Sequence, residues 1–285
     1  MSMILSKAYF EITNACNAAC SFCPGTRRPL RYVEEDAFQT ILSRLEGRVE
    51  YLYFHLMGEP LCHPLVSRFA ILAKDRGFRV MITSNGLLSR EAGIPLIETG
   101  AIHKISLSLH SYEANGFGVS LDEYLGGCLA LAECAAERET ICALRLWNGE
   151  HGAVDESGVN AAILTALRER FGSDWTSNRT GYRIRPYVFL EYGDRFLWPG
   201  QAPASEEPLF CHALRSQIGI LSDGTVVPCC LDGEGKMPLG NLLSEELDVI
   251  LSSDRAKVLY DGFTAHQAVE PLCRTCGYIR RFTCD

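Results

Sequence analysis

Between Lys7 and Leu190 the chain repeats one rhythm. Six short runs rich in aromatic and branched residues (Lys7–Thr13, Val49–Leu56, Phe78–Thr83, His103–Leu109, Ile141–Trp147 and Tyr182–Leu190) alternate with five runs of helical spacing (Val33–Leu45, Leu65–Arg76, Leu87–Thr99, Leu121–Arg138 and Ala161–Phe171). The first set reads as strands and the second as amphipathic helices. Short connections and right-handed crossovers then force a parallel sheet. The expected fold is α/β, a partial barrel of six strand–helix units, with functional residues at the C-terminal ends of the strands. Of the 285 residues, those beyond Trp198 break the rhythm: Pro199, Gly200, Pro203 and Pro208 mark a linker. Ile218–Leu221 and Thr225–Val227 flank Asp223-Gly224, the signature of a tight hairpin, and a helix is expected from Ser244 to Ser253. This predicts a first domain at residues 1–198 and a small cysteine-rich one at 205–285.

The first strand delivers the run EITNACNAACSFCP, which places Cys16, Cys20 and Cys23 at C-x-x-x-C-x-x-C spacing. Three thiolates so spaced can hold three irons of a 4Fe-4S cubane and leave the fourth iron open for chemistry. A zinc site is the alternative, but zinc favours four ligands in paired C-x-x-C knuckles. The chain has 13 cysteines. An N-terminus without an apolar signal core argues that they are reduced thiols of a cytoplasmic protein rather than disulfides. No apolar run approaches the roughly 20 residues of a membrane-spanning helix. The net charge is −8, and neither side of residue 200 is net positive, which argues against a broad nucleic-acid-binding face. Arg27, Arg28 and Arg31 read as solvated loop charges.

Other polar residues fall where strands should end. In Met57-Gly58-Glu59-Pro60, glycine allows close approach to the backbone and a carboxylate can accept from an ammonium group, although alone the tetrapeptide is only a turn. Ser84 and Asn85 follow the third strand, and Ser106 and Ser108 share one face of the fourth. Such groups can bind ribose hydroxyls or a carboxylate, or simply cap strands. By the same period of two, Arg145, Arg183 and Arg185 are expected to face the interior of the sheet, against Glu191, Asp194 or an anionic substrate group. They and Glu191 are the catalytic candidates. A second cysteine set comprises Cys211, Cys229, Cys230, Cys273, Cys276 and Cys284. Four of these could close a metal site, as a cluster or as a zinc ribbon.

The triad with Phe22 as C-x-x-x-C-x-Φ-C resembles the cluster loop of radical S-adenosylmethionine (SAM) enzymes. IGILSDGTVVPCC, LGNL and LCRTC resemble the SPASM extension, which carries auxiliary 4Fe-4S clusters. The resemblance implies a partial (β/α)6 radical SAM barrel with a SPASM-like domain. Cys16, Cys20 and Cys23 would hold the SAM-binding 4Fe-4S cluster. Phe22, Gly58, Glu59, Pro60, Ser84, Asn85, Ser106 and Ser108 would line the SAM site. Met57 stands where the family has the first glycine of Gly-Gly-Glu. Too few cysteines remain for two auxiliary clusters. One is expected on Cys211, Cys229, Cys273 and Cys276, with Cys230 or Cys284 as a substitute. The implied activity is reductive cleavage of SAM and hydrogen abstraction from a peptide or protein side chain, with a flavodoxin or ferredoxin as electron donor. Modification of an RNA base or a small anionic metabolite, and a non-catalytic iron-sulfur or zinc module, are the alternatives.

Overall fold

The computed structural model describes residues 5–116, 118–150, 156–205 and 209–282; Cys284 lies outside them. The strands are β1 Lys7–Phe10, β2 Tyr51–Tyr53, β3 Arg79–Ser84, β4 Ile102–Ser108, β5 Ile141–Gly149, β6 Thr176–Asn178, β7 Gly181–Arg185, β8 Val188–Asp194, β9 Gln217–Ile220, β10 Thr225–Val227 and β11 Gly240–Asn241. The helices are α1 Glu35–Leu45, α2 Val66–Asp75, α3 Ile94–Glu98, α4 Leu121–Glu137, α5 Gly158–Phe171, α6 Leu247–Leu251, α7 Asp254–Thr264 and α8 Pro271–Arg274. All strands belong to one sheet, ordered β11-β10-β9-β1-β2-β3-β4-β5-β8-β7-β6. The run from β1 through β5 to β8 is parallel throughout. It supplies the six strands of the expected partial barrel.

Alternation sorts each strand into two faces. Phe10, Leu52, Val80, Ile82, Ile105, Leu107, Cys142, Leu144, Val188 and Leu190 are buried in the main core. There α1 contributes Phe38, which stacks on Phe69 of α2 with ring centroids 3.9 Å apart and meets Phe54 edge-on. Burial of such side chains, each contributing roughly 1.5–3 kcal/mol, fixes which face the helices cover. The opposite face carries polar and aromatic residues in register: Tyr9 beside Tyr53, Thr83 beside Ser106, and Ser108 beside Arg145 beside Glu191.

Three expectations change. The run Tyr182–Leu190 is two antiparallel strands, β7 and β8, because Pro186 lacks an N–H and Tyr187 turns the chain with φ 65°. Only β8 joins the parallel set, and Arg183 and Arg185 lie exposed on β7, outside the barrel interior. Leu87–Thr99 is a widened helical turn at Ser89–Gly93 followed by the short α3, which begins at Ile94-Pro95. The Ser244–Ser253 run forms α6, and α7 and α8 follow. The hairpin around Asp223-Gly224 is present, with Gly224 at φ 86°. Its β9 pairs in parallel with β1, so the second half continues the sheet of the first. A small separate core forms there around Leu209, Ala213, Phe263, Cys276 and Ile279. Among the described residues no helix is long and apolar enough to cross a membrane.

Candidate active site

The segment after β1 folds back as a loop stapled by its own polar groups. Thr13 Oγ1 donates to the Arg31 carbonyl at 2.8 Å, Asn14 Nδ2 donates to that of Pro29 at 2.9 Å, and the Arg31 amide donates to Asn14 Oδ1 at 2.8 Å. The Glu59 amide donates to the Ala15 carbonyl at 2.7 Å, which holds the Met57-Gly58-Glu59 turn against this loop. Gly58 is required there: at φ 77°, a Cβ would sit 2.4 Å from the Thr13 carbonyl oxygen.

Cys16, Cys20 and Cys23 line a single cavity of about 530 Å³ at the C-terminal ends of β1–β4. Asn115 Nδ2 donates to Cys20 Sγ at 3.0 Å, while its Oδ1 accepts from the Ala19 amide at 2.7 Å; the Gly25 amide approaches Cys23 Sγ at 3.4 Å. Burial pushes all three thiols up, Cys16 to about 11, so they keep their protons until a metal displaces them. Three thiols on one cavity wall, two of them receiving N–H contacts at sulfur, can each meet a different iron, so the donor set fits a cluster. Cys62 lies near Cys16 but outside the cavity lining.

The same cavity is lined by Phe22, Gly58, Glu59, Ser84, Asn85 and Ser108; Pro60 and Ser106 are buried outside its lining. Glu59 is buried, with Oε1 accepting from the Leu61 amide at 3.0 Å and Oε2 from the Asn85 amide at 2.7 Å. Burial outweighs these bonds and raises its carboxyl to about 7. A raised carboxyl stabilises the fold fully below its unfolded value near 4.5, and this contribution fades as pH rises through 7. Ligand-free protein should thus lose on the order of 3 kcal/mol between pH 5 and 8 from this group. Glu59→Gln should flatten that part of the profile in urea unfolding at the two pH values. An unchanged slope would remove the assignment.

A second cavity of about 330 Å³ adjoins the first through shared His55, Thr83, Ser108 and Trp198. Arg145 lines it. Its Nε donates to Glu191 Oε2 at 3.1 Å, its Nη1 to Thr83 Oγ1 at 3.4 Å, and the guanidinium lies 4.6 Å from the Trp147 ring centroid. Lys104 donates to the other Glu191 oxygen at 2.7 Å. Burial acts upward on Glu191, but Arg145 and Lys104 outweigh it and hold the carboxyl below its ordinary range.

A third cavity, of about 280 Å³, is lined by Cys211, Cys229, Cys230, Cys273 and Cys276. The Ala213 amide approaches Cys211 Sγ at 3.4 Å, and burial raises all five thiols. This donor set likewise fits an iron-sulfur cluster. Tyr9, Cys230, Leu231 and Tyr278 line both the second and third cavities, so one layer of side chains separates them. Tyr9, His55, Asn115 and Trp147 were not singled out from sequence. Alternation along β1 and β5 placed Tyr9 and Trp147 inward, whereas nothing local marks Asn115.

Two family models match, the radical SAM superfamily over residues 10–134 and the SPASM iron-sulfur cluster-binding domain over residues 211–277. The chain is a radical SAM enzyme with a SPASM domain. The radical SAM domain implies a 4Fe-4S cluster and SAM, and the SPASM domain implies auxiliary iron-sulfur chemistry. This radical SAM protein is 21% identical to the S-adenosyl-L-methionine-dependent 2-deoxy-scyllo-inosamine dehydrogenase of Niallia circulans, over 98% of this chain and 95% of that one. Its fold is similar to that of BtrN in complex with AdoMet and 2-DOIA, with TM-score 0.65, 18% identity, and 97% and 94% of the two chains covered. It is also similar to anSMEcpe with bound AdoMet and a peptide, with TM-score 0.60, 12% identity, and 97% and 87% covered.

Proposed function

We propose that this enzyme abstracts a hydrogen atom from a compact polar group, held in the Arg145 cavity between the SAM site and the auxiliary cysteines. Cluster and SAM, when bound, supply a 5'-deoxyadenosyl radical. The chain's own work is to place that chemistry. Cys16, Cys20 and Cys23 bind the SAM-site cluster, and Gly58, seated against the Thr13 carbonyl, lines the SAM cavity with its backbone. Glu59, Ser84, Asn85 and Ser108 receive its polar groups, Phe22 covers it, and Pro60 and Ser106 support them from behind. Cys211, Cys229, Cys273 and Cys276 bind the auxiliary cluster, leaving Cys230 on the wall towards the substrate. Arg145, fixed by Glu191, orients the substrate, and Trp198 and Tyr278 exclude water. Residues 1–198 form the catalytic half and 205–285 the auxiliary half. A flavodoxin or ferredoxin in the cytoplasm supplies electrons.

The observation that carries this reading is that both cysteine sets open onto adjoining cavities with Arg145 between them. Two substrate sizes fit. A small molecule is favoured by the match, along nearly the whole chain, to a 2-deoxy-scyllo-inosamine dehydrogenase. A peptide or protein side chain is favoured by the peptide-bound neighbour. An RNA base is disfavoured, because Arg183 and Arg185 lie outside the cavity. Anaerobic reconstitution should yield about eight irons per chain and cleavage of SAM to 5'-deoxyadenosine. Mass spectrometry of metabolite and peptide pools from cells with and without the gene would then reveal the product. Zinc in place of iron, with intact SAM, would overturn the reading.

The arginines provide an internal contrast. Arg145→Met should lower substrate kcat/KM at least about 100-fold, equivalent to roughly 2.7 kcal/mol, while unproductive SAM cleavage persists. Arg183→Glu should stay within about twofold of wild type, as surface changes do. Equal losses in both variants would mean that Arg145 acts through general charge.

A further inference from the structure

Two residues that line the second cavity carry a buried ring nitrogen without a partner among the described residues: His55 Nδ1 and Trp147 Nε1. Both residues line that cavity with Arg145. A buried polar atom left unpaired costs about 1–3 kcal/mol, so two on one wall require an explanation. Both rings are packed against neighbours. His55 is held edge-on to Tyr9 and Tyr53 at 5.6 and 5.5 Å, and those two rings stack at 4.6 Å. The Trp147 indole lies between the Arg145 guanidinium and the bare backbone of Gly193, where a Cβ would come within 2.9 Å of it.

We infer that this cavity is built for a compact substrate with two neighbouring oxygens, a hydroxyl or carboxylate acceptor for Trp147 and a hydroxyl or carboxylate for His55, and that these two side chains set its specificity. An indole N–H only donates, so its partner must accept. A neutral imidazole nitrogen either donates or accepts, and a hydroxyl satisfies both cases. Arg145 adds a further donor, with Nη2 uncommitted among the described residues. An ammonium group is less well served than an oxygen, because Glu191 is already taken by Arg145 and Lys104. The inference rests on the proposed function for locating the substrate, but it is testable by binding alone.

Reconstituted full-length enzyme with SAM would be titrated calorimetrically with scyllo-inositol, glutarate and cis-1,3-diaminocyclohexane. An oxygen probe should bind and the diamine should not. Binding of scyllo-inositol would identify the oxygens as hydroxyls, and tighter binding of glutarate would identify them as carboxylates. Trp147→Phe and His55→Phe should each weaken the bound probe about tenfold, the loss of one buried hydrogen bond. His55→Asn, with a polar atom near the Nδ1 position, should recover part of the loss. Trp147→Phe should keep SAM affinity within about twofold, which shows that the variant is folded. Diamine binding as tight as that of the oxygen probes, no binding by any probe, or unchanged affinities in both Phe variants would overturn the inference. SAM cleavage by wild type, measured in parallel, tests the proposed function separately: its absence sinks that reading whatever the titrations show.

Discussion

Replacing Cys20 by alanine should halve the iron content, from about eight to about four per chain, and reduce SAM cleavage to background. Two thiolates cannot hold a cubane that must also present one open iron, so the effect on this chemistry is all or none. Stability of the metal-free protein should hardly change. The loop is held by Thr13, Asn14 and Arg31 rather than by the thiol, whose protein contact is Asn115 Nδ2 at 3.0 Å. A loss under about 0.5 kcal/mol in urea unfolding is the expected scale for a change that breaks no buried network. Cys273→Ala is the counterpart. It should also leave about four irons, but on the SAM-site loop, and it should keep unproductive cleavage to 5'-deoxyadenosine while losing substrate product. Retained cleavage in Cys20→Ala, or cleavage lost only in Cys273→Ala, would reverse the assignment of the two sets.

That Cys16, Cys20 and Cys23 belong together was legible from their spacing alone, and the structure sets all three on one cavity wall. Arg145 was legible because β5 is flanked by strands on both sides, so one face of its alternation had to be interior. The same rule placed Arg183 and Arg185 wrongly. Period two says which residues share a face, not whether the strand lies in the barrel, and Pro186-Tyr187 turns their segment into an edge hairpin. The hairpin at Asp223-Gly224 was visible from its turn, yet its pairing with β1 was not, since a parallel contact 210 residues away leaves no local mark. His55 and Trp147 resembled ordinary core aromatics, and only their unpaired nitrogens distinguish them. Arg28 read as a solvated charge for a similar reason, because its partner Glu11 is an acidic residue at a strand end with no motif around it.

Glu11→Leu should cost about 3–5 kcal/mol, the scale for removing one member of a buried ion pair. Glu11 is fully buried. Its Oε2 accepts from Arg28 Nη2 at 2.6 Å and from the Met57 amide at 3.2 Å, and its Oε1 accepts from the Ser222 amide at 3.2 Å. Arg28 in turn donates from Nε to the Gly233 carbonyl at 2.8 Å. One carboxylate thus joins the cluster loop, the turn before Gly58 and the hairpin of the auxiliary half. Removing it strands a guanidinium and two amides together. Arg28→Met strands the carboxylate instead, though the two amides still satisfy it in part. The double variant should lose less than the sum of the two, because no unpaired charge remains, and the shortfall in a urea-denaturation cycle measures the coupling. Strict additivity would show that the pair is incidental. A coupling of about 2 kcal/mol or more, accompanied by faster loss of iron from the SAM-site loop, would identify Glu11 as the strut that keeps the two cysteine sets in fixed relation.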